Sequence, residues 1–403
     1  MERSTTRILT THVGSLARPP NLLDQLAAQQ AGEAYDERSL AGAVEAAVAD
    51  VVRRQVECGI DVVSDGEQSK VGFSTYLRDR LAGLTPDEEA GPPPASGTAP
   101  LGTLGSVYAE EVGAFPEYYE RYFGSGNMSG VARPGPLACT GPVTYRGQAQ
   151  LAADLENLRR AVASAPHPPA EAFVPATTGR VAARNAYYPT EDAFVEAVSE
   201  AVRTEYQAIV EAGFLLQVDD PGITRLWGVD PDLPVRERTK LAESRVEAIN
   251  HSLRGIPAER VRFHCCYGIN EGPRVYDQPL SDYVELMFKI NAGAYSFESA
   301  NPRHAWSWRV FEDVKLPDGK ILIPGCISHA HNIVEHPEYI AQLLVNYGQL
   351  VGRENVIAGG DCGFSSQATY NPEVHPSVVW AKMSALAEGA RLATERLFAP
   401  SRR

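Results

Sequence analysis

The chain alternates between short apolar runs and longer stretches whose apolar residues recur at helical spacing. In residues 39–58 apolar side chains recur every three or four positions, and Gly59 marks the end of the predicted helix. A second such stretch covers 191–212, where Thr190 is a candidate N-cap and Gly213 follows the last turn. Strand-like runs that alternate with helices are typical of α/β proteins with a parallel sheet.

Nine of the short apolar runs are candidate strands, and most of them end in polar or small residues. They cover residues 10–15, 61–67, 137–143, 173–178, 215–221, 263–268, 296–300, 321–328 and 356–363. No glycine-rich dinucleotide fingerprint follows the first run, which argues against a doubly wound nucleotide-binding fold. A chain of 403 residues with polar residues at its strand ends fits a (β/α)8 TIM barrel. The sequence therefore predicts this barrel, with one of the nine runs outside it.

Residues 75–135 interrupt the alternation. The segment 85–102 is rich in Pro and Gly, which predicts a loop or irregular excursion. The aromatic segment 116–127 predicts a short helix near the barrel mouth. We therefore predict one catalytic domain over residues 1–403, with 75–135 as an irregular insertion after the second strand.

Composition and charge narrow the class of protein. An apolar content of 44% and a charged content of 22% are ordinary for a soluble enzyme. The formal charge of −14 argues against a surface that binds nucleic acid or anionic membranes, because such surfaces need clustered Lys and Arg. The chain has no apolar run of about 18 residues and no signal-like start. We expect a cytoplasmic protein with no nucleic-acid or membrane partner.

Three of the strand candidates end in residues that commonly bind metals. His264 and Cys266 are two apart, so on a strand both side chains point to the same face. Glu298 and Cys362 occupy the ends of two later runs. Together they offer N, S, S and O donors, a set that Zn²⁺ accepts in tetrahedral geometry. The alternative is a buried polar cluster in which the cysteines only fill space.

Six motifs now form an ordered series: THVGS, SDGE, QVDDP, HCC, FES and GGDCG. The series resembles the cobalamin-independent methionine synthase family, specifically its single-barrel members, and the resemblance extends from about residue 8 to residue 395. The closest resemblance is to the subgroup that also contains epoxyalkane:coenzyme M transferase.

The resemblance implies a role for each matching residue. It implies that Zn²⁺ is bound by His264, Cys266, Glu298 and Cys362. It implies that a homocysteine pocket is formed by Gly14, Ser15, Glu67 and Asp219. A family histidine that protonates the leaving group lies in the SHAHN segment, so His329 and His331 are the two candidates.

The chemistry explains why such residues are needed. A free thiol is a poor nucleophile at neutral pH because little of it is thiolate, and binding to zinc deprotonates it. The sequence predicts a zinc-dependent S-alkyltransferase in which Glu298 is the most labile ligand, and the favoured reaction is methyl transfer to homocysteine. One alternative is alkyl transfer to another small thiol, as in epoxyalkane:coenzyme M transferase. Another is a non-catalytic protein that binds zinc or a methyl carrier. The donor stays open between a folate, a corrinoid protein and a small methylated metabolite.

Overall fold

A computed structural model describes residues 1–73, 75–90, 105–124, 130–132, 135–179, 181–225, 234–268 and 271–399. In these ranges the strands are β1 Leu9–Thr10, β2 Val62–Ser64, β3 Leu84–Pro86, β4 Leu137–Cys139, β5 Glu171–Thr177, β6 Ala183–Asn185, β7 Leu215–Asp219, β8 Val261–Cys265, β9 Ala294–Phe297, β10 Ile321–Ile327 and β11 Ile357–Gly360. The α-helices are α1 Pro20–Ala31, α2 Glu37–Glu57, α3 Tyr76–Arg80, α4 Gly105–Ala114, α5 Pro116–Gly124, α6 Gln148–Ala163, α7 Glu191–Glu211, α8 Val235–Ser252, α9 Val284–Met287, α10 Pro337–Val351 and α11 Pro376–Leu397.

Eight of the strands form one parallel sheet that closes into a barrel. Around the barrel the order is β1, β2, β5, β7, β8, β9, β10 and β11, and β11 pairs back onto β1. A parallel bridge between Thr11 and Val62 joins the first two strands and completes the ring. The predicted (β/α)8 barrel is confirmed.

The run outside the barrel is 137–143. Its strand β4 pairs antiparallel with β3 and parallel with β6, which makes a separate three-stranded sheet. Both partners lie on excursions that follow barrel strands β2 and β5. A short apolar run does not reveal which strand it will pair with, so the sequence pattern left this choice open.

Both predicted helices are present, as α2 and α7. The Thr190 hydroxyl accepts a hydrogen bond from the Ala193 amide at 3.1 Å, which confirms the predicted N-cap. Helix α2 begins slightly earlier than predicted, because Asp36 caps its first turn. Gly59 and Gly213 follow the two helices with φ of 87° and 93°, a left-handed conformation that glycine adopts without steric cost.

The barrel interior changes from apolar to polar along its axis. One end is filled by the aliphatic and aromatic residues Leu9, Val62, Phe173, Leu215, Ala294, Ile321, Ile323 and Ile357. Above them the Arg262 guanidinium lies 3.9 Å from the ring centre of Phe173. It donates to the Thr11 hydroxyl at 2.9 Å and to the His12 carbonyl at 2.8 Å. Burial lowers the pKa of Arg262 to about 9. The polar half of the barrel therefore begins at this arginine and opens toward the C-terminal strand ends.

The described parts of the 75–135 insertion lie against that C-terminal end. Glu111 of α4 accepts a hydrogen bond from the Val275 amide at 2.8 Å, in the loop after β8. Tyr122 of α5 donates to Glu373, in the segment after β11. The predicted helix over 116–127 is α5 up to Gly124, and its remainder lies outside the described residues. The predicted loop over 85–102 is described only to residue 90, where β3 and a short 3-10 helix occur.

Among the described residues, no helix combines the length and the apolar character that crossing a membrane requires.

One buried ion cluster links α3 to the outer helices, and it generates a stability prediction. Arg80 is 1% exposed and contacts Asp154 of α6 at 2.5 Å and Glu205 of α7 at 3.2 Å. Replacing Arg80 with Met should lower the free energy of unfolding by about 3–5 kcal/mol, because two buried carboxylates lose their counter-ion. Chemical denaturation measures this loss.

The matched control for this prediction is Arg53→Met. Arg53 pairs with Asp50 and Glu57 on the exposed face of α2, where solvent screens the charges, so its loss should change the free energy of unfolding far less than the loss of Arg80. Equal effects of the two substitutions would contradict the assignment of Arg80 as a structural ion.

Candidate active site

Strand alternation directs the first two candidate ligands into the barrel. Phe263 and Cys265 pack in the core between sheet and helices. His264 therefore faces the barrel interior, and Cys266, which follows β8 directly, continues on the same side. Cys362 follows β11. The ligand atoms of His264, Cys266 and Cys362 all lie within 4.8 Å of one another, and the three residues are buried.

The donor atoms of this group suit a soft divalent metal. His264 Nδ1 lies 3.1 Å from the Ser296 hydroxyl, and the buried imidazole also interacts with the sulfur of Cys266. The Cys362 thiol donates to Cys266, and together with His264 it holds the pKa of Cys266 well below its ordinary value despite burial. A buried imidazole nitrogen beside two cysteine sulfurs is an arrangement that Zn²⁺ would complete.

Glu298 belongs to a neighbouring group, in which its carboxylate lies within 4.8 Å of His329 and Asp361. Burial raises the pKa of Glu298, although the nearby Arg274 opposes that shift. The structure therefore places this predicted ligand beside the three-residue group, with its carboxylate engaged by protein donors.

Asp361 is a site residue that the sequence analysis did not assign. Its carboxylate accepts hydrogen bonds from the amides of Ser299 and Ala300 at 2.7 Å and from that of Asn301 at 3.1 Å. It approaches β10 closely, because a Cβ at Gly325 would lie 2.0 Å from its Oδ1. Asp361 thus ties the end of β11 to the end of β9. Its place in the GGDCG motif was the available signal.

The predicted residues Gly14 and Ser15 lie against the same strand ends. A Cβ at Gly14, whose φ is 135°, would come within 2.5 Å of Pro175 and 3.2 Å of the Glu67 carboxylate. The Ser15 hydroxyl occupies the space beside Gly363, where a Cβ would come within 2.0 Å of it. Ser15 therefore contacts the residue that follows Cys362.

Two predicted carboxylates complete this side of the site. Glu67 has a φ of 55° and lies 3.7 Å from the Lys70 ammonium. Asp219 accepts a hydrogen bond from Gln217 at 2.8 Å. Burial raises the pKa of Asp219 to about 8, while His264 acts in the opposite direction. Left-handed backbone at a non-glycine residue such as Glu67 is a form of strain found at functional sites.

The two candidate histidines differ in position. His329 is buried and lies with Glu298 and Asp361. The side chain of His331 is 29% exposed, and its Nε2 lies 3.8 Å from Glu335 at the rim. Only His329 of the two is therefore grouped with the buried site.

The chain is similar in sequence to curated methionine synthases. No family model matches it. It is 25% identical over 356 residues to a methionine synthase of Sulfurisphaera tokodaii, covering 88% of this chain and 85% of that protein. It is also 24% identical over 269 residues to a methionine synthase of Sulfolobus acidocaldarius, covering 66% of this chain but only 64% of the relative's length.

A solved structure has the same fold. The B12-independent methionine synthase from Shewanella sp. W3-18-1, in complex with selenomethionine, aligns over 98% of this chain and 100% of its own with a TM-score of 0.70 and 17% identity. The curated relatives support the predicted resemblance to the cobalamin-independent methionine synthase family, and the solved structure supports the fold. The loop after β8 supplies a further site residue, Arg274, whose Nη2 lies 2.7 Å from Glu298 Oε2. Sequence reasoning missed it because an arginine in a loop carries no periodic signal.

The metal-ligand assignment predicts a loss of metal in a cysteine variant. Replacing Cys362 with Ser should weaken zinc binding by more than the roughly 10- to 100-fold cost of losing a supporting hydrogen bond, since a direct donor is removed. Metal analysis and chelator competition on the purified protein measure this change.

Cys265→Ser is the matched control for Cys362→Ser. The Cys265 sulfur faces the outer core, with Met287 as a neighbour at 3.6 Å. This variant should retain wild-type metal content. Full zinc binding by Cys362→Ser would remove Cys362 from the ligand set.

Proposed function

We propose that this protein is a zinc-dependent S-alkyltransferase that transfers a methyl group to homocysteine and so forms methionine. The observation that carries the proposal is the buried group of His264, Cys266 and Cys362 at the C-terminal barrel mouth, with Glu67 and Asp219 nearby. In TIM-barrel enzymes the active site lies at this face. The relatives named methionine synthase support the same reaction.

The residues that would hold the metal are His264, Cys266 and Cys362, with Glu298 as an exchangeable fourth ligand. Bound there, Zn²⁺ would supply stabilisation of the substrate thiolate near neutral pH. The two cysteines keep the net charge of the site low, so that the substrate sulfur keeps its nucleophilic character. The finding that Glu298 lies in the adjacent group, already hydrogen-bonded, agrees with a ligand that exchanges.

The chain's own residues bind and orient the acceptor. Glu67 and Asp219 accept charge-assisted hydrogen bonds from its ammonium group. Gly14 and Ser15 line the side next to Cys362, where their amides and hydroxyl bind the polar end of the substrate. The acceptor sulfur forms a bond to the methyl carbon as the bond from that carbon to the donor breaks, and the leaving group departs with the electron pair. His329, buried near the group, protonates the leaving group.

A thiol that carries a sulfonate, as coenzyme M does, fits this pocket less well. Such an anion needs a cation with free donors. The Arg18 guanidinium is occupied by the carbonyls of Leu16, Ser365, Glu67 and Lys70, at 2.5–3.0 Å. Lys70 donates to the Pro175 carbonyl and neighbours Glu67. The cations next to Glu67 are therefore already occupied, which favours an ammonium-bearing acceptor at that position.

The proposal specifies the methyl donor only by its chemistry, a molecule with an electrophilic methyl carbon. A folate, a small methylated metabolite and the methyl group of a corrinoid protein all present an electrophilic carbon. A non-catalytic protein that binds zinc or a methyl carrier is the second candidate function, and a coordinatively closed metal would favour it.

The acceptor assignment predicts a selective loss of affinity in Asp219→Asn. Loss of the charge-assisted hydrogen bond should weaken homocysteine binding by about 2 kcal/mol, roughly 30-fold. Calorimetric titration of the zinc-loaded protein at constant pH measures this affinity.

A matched ligand isolates the ammonium contact. 4-Mercaptobutanoate has the carbon chain, carboxylate and thiol of homocysteine but no amino group, so Asp219→Asn should bind it as the wild type does. An equal loss for both thiols would show that Asp219 acts on the site generally, and unchanged affinity for both would exclude an ammonium contact.

The function itself is tested by zinc-edge X-ray absorption with and without thiols. Homocysteine should add one sulfur to the zinc coordination, whereas coenzyme M should leave it unchanged. A gain with coenzyme M alone would favour the alternative alkyltransferase. No change with either thiol would contradict a thiol-activating zinc and favour the non-catalytic candidate.

A further inference from the structure

Arg274 is a buried cation next to Glu298, the candidate fourth metal ligand. It is 4% exposed and lies in the loop after β8. Its φ of 59° makes it, with Glu67, one of two non-glycine residues with positive φ among those the structure describes. Backbone strain of this kind persists only where the surroundings enforce it.

The surroundings hold the guanidinium in place. Its Nε donates to Asp277 Oδ2 at 2.8 Å, and the same oxygen lies 2.8 Å from His304 Nε2. The His304 ring stacks on Tyr267, with centroids 4.4 Å apart and an interplanar angle of 11°. Glu111 of the insertion binds the next amide, that of Val275. Arg274 is therefore fixed from several elements and cannot move away without breaking these contacts.

The other end of the guanidinium faces Glu298. Arg274 Nη2 lies 2.7 Å from Glu298 Oε2, and the Asn301 side-chain amide donates to the same oxygen at 3.0 Å. Glu298 Oε1 accepts from the Tyr267 backbone amide at 3.1 Å. Both oxygens of the carboxylate are thus engaged by donors that the protein itself supplies.

We infer that Arg274 is a positioning residue that competes with the metal for Glu298 and thereby keeps the fourth coordination position exchangeable. The inference rests on the proposed function, since it assumes a zinc that binds an incoming thiol. Two electrostatic effects of Arg274 would weaken the binding of Glu298 to the metal. The ion pair withdraws negative charge from the carboxylate, and the guanidinium repels a nearby divalent cation.

The test compares zinc affinity and zinc ligands in Arg274→Gln and in the wild type, using the purified full chain. Chelator competition at constant pH should show zinc bound at least tenfold more tightly by Arg274→Gln. Zinc-edge absorption should show that homocysteine adds less sulfur to the variant, because Glu298 then occupies the fourth position. Circular dichroism verifies that the variant is folded.

Two further variants complete the design. Asn301→Ala removes one of the other donors to Glu298 and should shift zinc affinity in the same direction by a smaller factor. It also covers the case in which Arg274→Gln does not fold. Arg303→Gln removes an exposed charge from the neighbouring loop, where its side chain contacts only the Val275 carbonyl among its described hydrogen-bond partners. This control should bind zinc as the wild type does.

The outcomes separate the inference from the proposed function. If the wild type gains sulfur with homocysteine but Arg274→Gln binds zinc equally or more weakly, the inference is overturned and the proposed function stands. If Arg303→Gln gives the same increase as Arg274→Gln, the effect is one of general charge and the inference is again overturned. A wild type that binds no zinc would overturn both.

Discussion

The site depends on the carboxylate of Asp361, which joins strands that are distant in sequence. By accepting three backbone amides from residues 299–301 it fixes the end of β9 against the end of β11. That contact sets Glu298 near Cys362. Asp361 is itself buried against β10, at a position where only glycine leaves room for it. Without these hydrogen bonds, the ends of β9 and β11 would not be held together, and Glu298 and Cys362 would lose their fixed relative positions.

Buried charge is the second organising feature of the barrel mouth. Glu67, Asp219, Glu298 and Asp361 are buried together with two candidate ligand cysteines. Isolated charges are costly in such surroundings, so each needs a partner. Lys70 lies 3.7 Å from Glu67, Arg274 lies 2.7 Å from Glu298, and His264 is close enough to Asp219 to counter the effect of burial on its pKa. A divalent metal held by His264, Cys266 and Cys362 would add further positive charge beside these carboxylates.

Much of this arrangement follows from local pattern. The two-residue spacing of His264 and Cys266 dictated a shared face, and the core packing of Phe263 and Cys265 bears that out. The helices over 37–57 and 191–211 were readable because their periodicity and caps are local properties. The 137–143 run was not assignable, because pairing partners of a short strand are set by chain closure over many residues.

The sequence by itself determined the alternation of strands and helices, the faces of the strands and the residue types suited to a thiol-binding metal. Those features depend on neighbours within a few positions. Only the tertiary structure decided that Glu298 forms an ion pair with Arg274, that the Arg18 guanidinium donates to backbone carbonyls and that His329 is the buried histidine of the two. These choices depend on distances between loops after different strands, and no periodicity along the chain encodes a distance of that kind.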